Sequence, residues 1–310
     1  MASLIARRLG LMLLTMLAVS LLLFLLLEFN IESVAIKVLG PYSLEESRQI
    51  WLQENGYLDP FYERYLRWLW QAITLDFGDS SRFKVPVVDV LGPRLAQSGI
   101  LALATFAVMV PLALVLGVLA GMREGSWVDR IITVICTITT SIPEFASAVF
   151  LSAIFVFWLK ALPGTSTMSG GFSFYELILP TMVLVGYGFG YIARMTRASM
   201  AEVMTTHYIR TAVLKGLPYR RVILKHALRN ALIAPFTVIM LQINWLLSGV
   251  IVVEAFFSYK GFGLLLLEAS LNQDIYLIEA CAMVAVFVAV ATQLIADIGY
   301  TYLNPRIRFA

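Results

Sequence analysis

Residues 207–229 read His-Tyr-Ile-Arg-Thr-Ala-Val-Leu-Lys-Gly-Leu-Pro-Tyr-Arg-Arg-Val-Ile-Leu-Lys-His-Ala-Leu-Arg, between two long apolar segments. Eight Lys or Arg lie between Arg194 and Arg229, against one acid, Glu202. Lipid does not accept such a loop, and the positive-inside rule assigns it to the cytoplasm. Gly216-Leu217-Pro218 divides it into two short helices, because Gly and Pro both disfavour a continuous helix. A cytoplasmic elbow of this form is a docking surface.

The rest of the chain is a membrane protein by composition. Of 310 residues, 60% are apolar and 14% charged, more apolar residue than a soluble domain of this size can bury. The net charge is +3, which gives a nucleic-acid partner no electrostatic support. Cys136 and Cys281 both fall in apolar runs and read as buried thiols rather than a disulfide framework.

Apolar runs of bilayer length predict six spans, at about 9–30, 96–122, 131–159, 176–197, 230–253 and 276–302. Arg7-Arg8 precede the first run, which ends in Glu28-Phe29-Asn30, a poor cleavage site, so an uncleaved first span is expected. With the N-terminus inside, the cytoplasmic parts hold 14 of the 23 Lys and Arg. Most of the remainder lie in the long segment 31–94, and long translocated segments largely escape the charge rule. Both termini are therefore expected in the cytoplasm.

The segment 31–94 carries two helix signals. Ser43-Leu44-Glu45-Glu46 fits a capping box, with a helix to about Asn55. Asp59-Pro60 fits an N-cap followed by Pro at the first helical position, and predicts a helix Pro60–Leu75 rich in aromatic residues. Such a helix suits a membrane–water interface, a cover over a pore mouth, or simple packing on the outer surface.

Within the spans, Gly117 and Gly121, and Gly186 and Gly190, have the i, i+4 spacing that permits close helix approach. Glu144, Gln242 and Asn244 lie at membrane depth and are candidate pathway or gate residues. For Glu144 the alternative is a structural hydrogen bond to a backbone group freed by Pro143. Asp297, near the end of the sixth span, reads as structural.

The chemistry of catalysis is missing from the sequence. There is no Gly-Lys dipeptide, hence no P-loop, and no His-Glu-x-x-His string. His207 and His226 are the two histidines, both in the basic loop. No Ser/His or paired-Asp set supports an intramembrane enzyme, and a passive channel has no need of the basic elbow. If transport is active, its energy arrives from another subunit through that elbow.

The elbow resembles the coupling motif of ATP-binding-cassette importer permeases, Glu-Ala-Ala, three residues, Gly, nine residues, Ile-x-Leu-Pro. Here Arg210-Thr211-Ala212 is followed by Gly216 and then His226-Ala227-Leu228-Arg229. The Ala and Gly spacing holds, while the Glu and the final Pro are replaced. The string Tyr208-Ile209-Arg210-Thr211-Ala212, Lys215-Gly216-Leu217 and His226 to Ala231 is similar to the dipeptide/oligopeptide/nickel branch. So are Gly125 to Arg130, Ser141-Ile142-Pro143, Val253-Glu254, Phe257-Ser258, Gly261-Phe262-Gly263 and Asn304 to Arg308. Departures are the lack of a Pro-Gly-Asp-Pro string after the first span, Lys260 where Pro is frequent, and Asn244-Trp245 where small residues are frequent.

The resemblance implies an all-α polytopic permease of the type I importer fold, with about six transmembrane helices, a periplasmic helical segment and a cytoplasmic coupling elbow. It implies a first transmembrane helix at 1–30, a periplasmic segment at 31–94, the importer transmembrane domain at 95–303 with the coupling loop 198–228, and a cytoplasmic tail at 304–310. The implied ATPase-coupling residues are Tyr208, Arg210, Thr211, Ala212, Lys215, Gly216 and Leu217. Implied partners are a second homologous permease, two ATP-binding subunits, a periplasmic substrate-binding protein and membrane lipid. No cofactor is expected in this chain, since ATP and Mg would be bound by the partner ATPase subunits. The implied location is the bacterial inner membrane. Peptide is the first cargo expected, with nickel chelates, opines or oligosaccharides as alternatives.

Overall fold

A computed structural model of the chain describes residues 2–28, 35–36 and 39–303, and the side chains of all these except 2–5, 27–28, 244, 247–249 and 300–303. The segment around Asn30 to Ser33 and the closing Asn304 to Arg308 string lie outside the described residues. The described fold is helical, and two compact units divide it, one of residues up to Ala96 with Phe262–Ala291, the other of Gln97–Gly261 and the residues from Thr292 on.

The helices, numbered in chain order, are α1 (Ala2–Glu28), α2 (Glu45–Glu54), α3 (Phe61–Thr74), α4 (Val87–Gly121), α5 (Trp127–Ser141), α6 (Glu144–Ser152) and α7 (Phe174–Met204). There follow α8 (His207–Leu214), α9 (Tyr219–Ala231), α10 (Ile233–Gly249), α11 (Ile251–Phe256), α12 (Phe262–Asn272) and α13 (Ile275–Leu303). A π-helical stretch, Ala153–Trp158, extends α6, and another, Val222–Ala227, lies within α9.

Among the described residues four helices are long and apolar enough to cross a membrane, and the count reaches the expected six only if each of two bent pairs is one span. The third expected span, 131–159, is one of these pairs. It breaks after Ser141, and α6 leaves α5 at 101°. Pro143 causes the break. It forces its predecessor out of the helical region, and Ile142 takes the extended values φ −86°, ψ 123°. The fifth expected span bends by 53° between α9 and α10. Here Pro235 lacks the N–H that would bond to the Ala231 carbonyl, and its ring crowds that carbonyl.

In the first unit, α1 and α3 pack through aromatic rings. Phe24 is buried, with the rings of Phe61, Tyr65 and Trp68 at 5.5, 5.5 and 5.8 Å. Trp68 donates to Glu279 of α13 at 2.8 Å, and the hydroxyls of Tyr57 and Tyr276 meet at 2.8 Å. Val87 and Leu91 of α4, Phe262 and Leu265 of α12, and Leu277 and Cys281 of α13 form the apolar centre. Asp274 is buried and caps α13, accepting from the Leu277 N–H while Ser80 donates to it at 2.5 Å.

Both expected helix starts shift in this unit. Leu44, not Ser43, occupies the N-cap of α2, and no side chain caps it. Ser43 instead donates to the Gly40 carbonyl and accepts from Arg48, so the capping box does not form. Pro60 is the N-cap of α3, and Asp59 is drawn away by Arg67 at 2.5 Å. The lengths of both helices follow expectation. On α3 one face covers Phe24, while Tyr62, Leu66, Trp70 and Ile73 form an exposed apolar stripe at helical spacing.

In the second unit α7 is the central helix, packed by α5, α6 and α10. Glycines set the closest approaches. A Cβ at Gly117 would lie 2.6 Å from the Ala193 carbonyl oxygen, at Gly121 2.6 Å from that of Arg197, and at Gly190 2.7 Å from that of Cys136. Gly186, expected to act likewise, has open space around it, with nothing within 4 Å of the position a Cβ would take. Gly190→Ala is therefore expected to destabilise by about 1–3 kcal/mol through overpacking. Gly186→Ala should stay within about 0.5 kcal/mol of wild type. Thermal unfolding of the detergent-solubilised protein followed by size-exclusion separates the two, and equal losses would contradict the packing described.

The outer-loop residues resembling the importer branch surround a buried acid. Glu254 is fully buried and accepts from Ser98 at 2.5 Å, and its carboxylate occupies the space a side chain at Gly261 would need. Tyr259, also fully buried, donates its N–H to the Glu254 carbonyl and its hydroxyl to the Gln97 carbonyl. The Ser98 hydrogen bond offsets part of the cost of burying the Glu254 carboxyl group in an apolar interior.

Candidate functional site

The elbow is built as its sequence demands. Helix α8 ends in a Schellman motif, with Gly216 N–H bonded to Val213 O at 2.9 Å and Leu217 N–H to Ala212 O at 3.3 Å. Gly216 has φ +74°, a conformation that side chains resist, so the break falls there because Gly supplies it. Pro218 is the N-cap of the following turn and prevents α8 from continuing.

The elbow has its own small core. Ile209, Ala212, Val222, Ile223, Ala227 and Ala231 are buried together with Met200 of α7, and Val118 of α4 and Met122 just beyond it pack against them. The seven positions for which the resemblance implies coupling therefore separate. Tyr208, Arg210, Thr211, Lys215 and Gly216 are exposed, Leu217 is half-buried, and Ala212 faces inward. A charge at 212 would disrupt the elbow itself. Leu214, which the sequence reading passed over, is 82% exposed beside Lys215. Val213 beside it is also exposed, and the two make an apolar tip on a basic element, with Tyr208 and Tyr219 exposed elsewhere on the elbow. An exposed apolar cluster of this kind marks an interaction surface.

Two of the eight basic residues in the loop region belong to α7 instead, which continues to Met204, beyond its expected end at 197. Arg197 forms a two-armed ion pair with Asp129, Nε to Oδ1 at 2.9 Å and a terminal nitrogen to Oδ2 at 2.7 Å. Asp129 is buried, and also accepts from the Gly125 N–H at 2.9 Å and from Thr133. Ser126 caps α5 by accepting from the Asp129 N–H. The α4–α5 turn is thus fastened to the end of α7 just before the elbow. The only sequence signal for this was the acid in an otherwise apolar and basic neighbourhood.

The membrane-depth candidates meet at α7. Glu144 is the first residue of α6, at the break, half-buried, and makes no hydrogen bond or ion pair among the described residues. The alternative expected for it, a bond to a freed backbone group, does not form. Gln242 donates to the Gly188 carbonyl at 3.5 Å, and Gly188 has no side chain to keep it away. The side chain of Asn244 lies outside those described. Tyr187, Tyr191 and Trp245 were not singled out by sequence, yet they form a row, with Tyr187 5.2 Å from Trp245 and 6.1 Å from Tyr191. Arg194 lies 5.4 Å above the Tyr191 ring. Among the described residues, no group of three or more His, Cys, Asp or Glu could hold a metal ion.

Spanning helices broken at membrane depth, with a basic helix–turn–helix elbow carrying an apolar tip, define a polytopic transport permease. Residues 113–309 match the family described as binding-protein-dependent transport system inner membrane component, and the chain belongs to this family. It is 32% identical, over the whole of both chains, to a putative peptide transport system permease protein of Brucella abortus (strain 2308). It is 31% identical to the oligopeptide transport system permease protein AppB of Bacillus subtilis (strain 168), again over the whole of both. With the glutathione transport system permease protein GsiC of Shigella flexneri serotype 5b it shares 32% identity over 95% of each chain. The chain is a membrane-embedded transport subunit of an ATP-binding-cassette importer, as its elbow motif implied.

Proposed function

We propose that the chain forms half of the translocation pathway of an ATP-driven importer of peptides in a bacterial inner membrane. The observation that carries this reading is the elbow, a folded basic unit with an exposed apolar tip. Two ATP-binding subunits, holding ATP and Mg, dock on this elbow and on that of a second, homologous permease. Tyr208, Arg210, Thr211, Lys215 and Gly216 meet the ATPase directly, while Ala212 and Leu217 hold the elbow in shape. A periplasmic binding protein delivers cargo to the opposite side. Peptide is favoured because the relatives above are named for peptide, oligopeptide and glutathione transport.

In this reading both termini and the loop 198–228 are cytoplasmic, 1–30 is the first membrane helix, and 31–94 is periplasmic. Residues 95–303 form the transport domain, and 304–310 a cytoplasmic tail. The exposed stripe on α3 lies at the membrane surface, where 43–75 contacts the binding protein. Glu144, Gln242 and Asn244 line the pathway, where α6 starts at membrane depth, a position suited to a transport route rather than to lipid contact.

Membrane-impermeant thiol labelling of single cysteines at Ser47 and Thr206 in intact cells tests the topology. Labelling at Ser47 alone is expected, and labelling at Thr206 alone would invert the assignment. Reconstitution of the chain with its second permease, ATPases and binding protein tests the activity. ATP-dependent peptide uptake into proteoliposomes is expected. A complex that hydrolyses ATP with the loaded binding protein but accumulates no peptide would overturn the cargo.

A further inference from the structure

Tyr187, Tyr191 and Arg194 are spaced i, i+4 and i+7, so they share one face of α7. At 1.5 Å rise per residue this face extends about 10 Å from Tyr187 to Arg194. Its two ends carry opposite charges. Helix α5 runs antiparallel along α7, from Asp129 beside Arg197 to Thr140 beside Gly190, so Glu144, four residues past Thr140, stands at the Tyr187 end. Among the described residues its carboxylate has no hydrogen-bond or ion-pair partner. Arg194 stands at the other end, half-buried over the Tyr191 ring, with no carboxylate in ion-pair range among the described residues. Arg197, one turn further on, has the opposite treatment, two carboxylates at 2.7 and 3.5 Å. A charge within a spanning helix, or at its end, that has no protein partner faces a cavity, water or a ligand. Tyr187 and Tyr191 lie along this face, Trp245 stands 5.2 Å from Tyr187, and the Gln242 amide reaches the neighbouring Gly188 carbonyl.

On the reading that the cargo is peptide, we propose that this row binds the permeating peptide by its two free termini. Glu144 takes the amino-terminal ammonium and Arg194 the carboxyl-terminal carboxylate. An extended chain covers about 3.3–3.6 Å per residue, so the row accommodates about three residues. Tyr187 and Trp245 supply π faces for the ammonium and for apolar side chains, and Gln242 exchanges hydrogen bonds with the peptide backbone. Tyr187 and Tyr191 hold no charge of their own, so the row discriminates by termini and length rather than by side chain.

Binding of radiolabelled tri-alanine to the purified permease–ATPase complex, without the binding protein, tests this directly. N-acetyl-tri-alanine and tri-alanine amide serve as competitors. In wild type, blocking either terminus should weaken binding about tenfold or more, as expected for loss of a charge-assisted contact. In Glu144→Gln the acetylated and free peptides should compete equally, and in Arg194→Gln the amide and the free peptide should. Should Gln at 144 prevent assembly, Glu144→Asp keeps the charge but withdraws it, and must lower discrimination by the amino terminus. Competition that ignores the termini in wild type, or no tripeptide binding at all, overturns the proposal. Uptake of tri-alanine by the complete wild-type system is measured alongside. Uptake with terminus-blind binding defeats only this inference, whereas absence of any peptide uptake defeats the cargo reading.

Discussion

Asp129→Ala is expected to lower the stability of the permease by about 3 kcal/mol or more. Removing one partner of a buried ion pair leaves the other uncompensated, and the loss is larger than the net worth of the pair. Asp129 is 4% exposed and accepts from Arg197, the Gly125 N–H and Thr133, so three donors lose their acceptor together. Arg197 retains only Glu124 at 3.5 Å, which is well exposed. Arg197→Leu in the same chain should recover part of the loss, since the double variant buries no unpaired charge. Fluorescence-detected size-exclusion after a temperature series measures both. A single variant as stable as wild type would remove the α4–α5 turn from the structural account of the elbow.

Gly216→Val should uncouple transport while leaving an inserted, folded permease. At φ +74° a β-branched side chain meets its own backbone, with strain of about 1–2 kcal/mol. A cost of about 1.4 kcal/mol is a tenfold change in an equilibrium, so the Schellman turn loses about tenfold in population relative to its alternatives. Space is not the obstacle within the chain, because nothing lies within 4 Å of the position a Cβ would take. Leu214→Asp gives the complementary test. This side chain is almost wholly exposed, so the elbow keeps its fold while the apolar tip is lost. Both variants are expected to reduce pull-down of the ATPase subunits and to lower receptor-stimulated ATP hydrolysis about tenfold or more. Wild-type coupling in both would end the docking assignment.

The elbow was legible because its signals are local. Gly216 and Pro218 act through backbone geometry that needs no partner, and the spacing of Tyr208 to Leu217 was enough for the family resemblance. The termini of α2 and α3 were legible to within a residue or two for the same reason, although the caps were not. Ser43 turns to Gly40 and Arg48, and Asp59 turns to Arg67, because side-chain partners nearby in the fold compete with the helix N-terminus. The third span shows a different failure. Hydropathy is the same on both sides of Pro143, so a span and a 101° corner look alike to it. Among the glycines, spacing treated Gly186 and Gly190 as equals. Only the position of α5 makes one of them a close contact, and Gly188, outside the pattern, is another.

By itself the sequence determined the class of molecule, the number of apolar segments, the basic elbow and its turn, and the resemblance that led to the importer family. These follow from composition, local backbone preference and charge asymmetry, which are properties of the chain taken a few residues at a time. Tertiary structure alone decided which charges are spent in holding the protein together and which are left without an ion-pair partner among the described residues. Arg194 and Arg197 are three residues apart and read identically in sequence. One lies over Tyr191 and the other is held by Asp129, 68 residues away. The energy of a charge at membrane depth depends on what stands within a few ångströms of it, and the packing of α5 and α7 sets that distance.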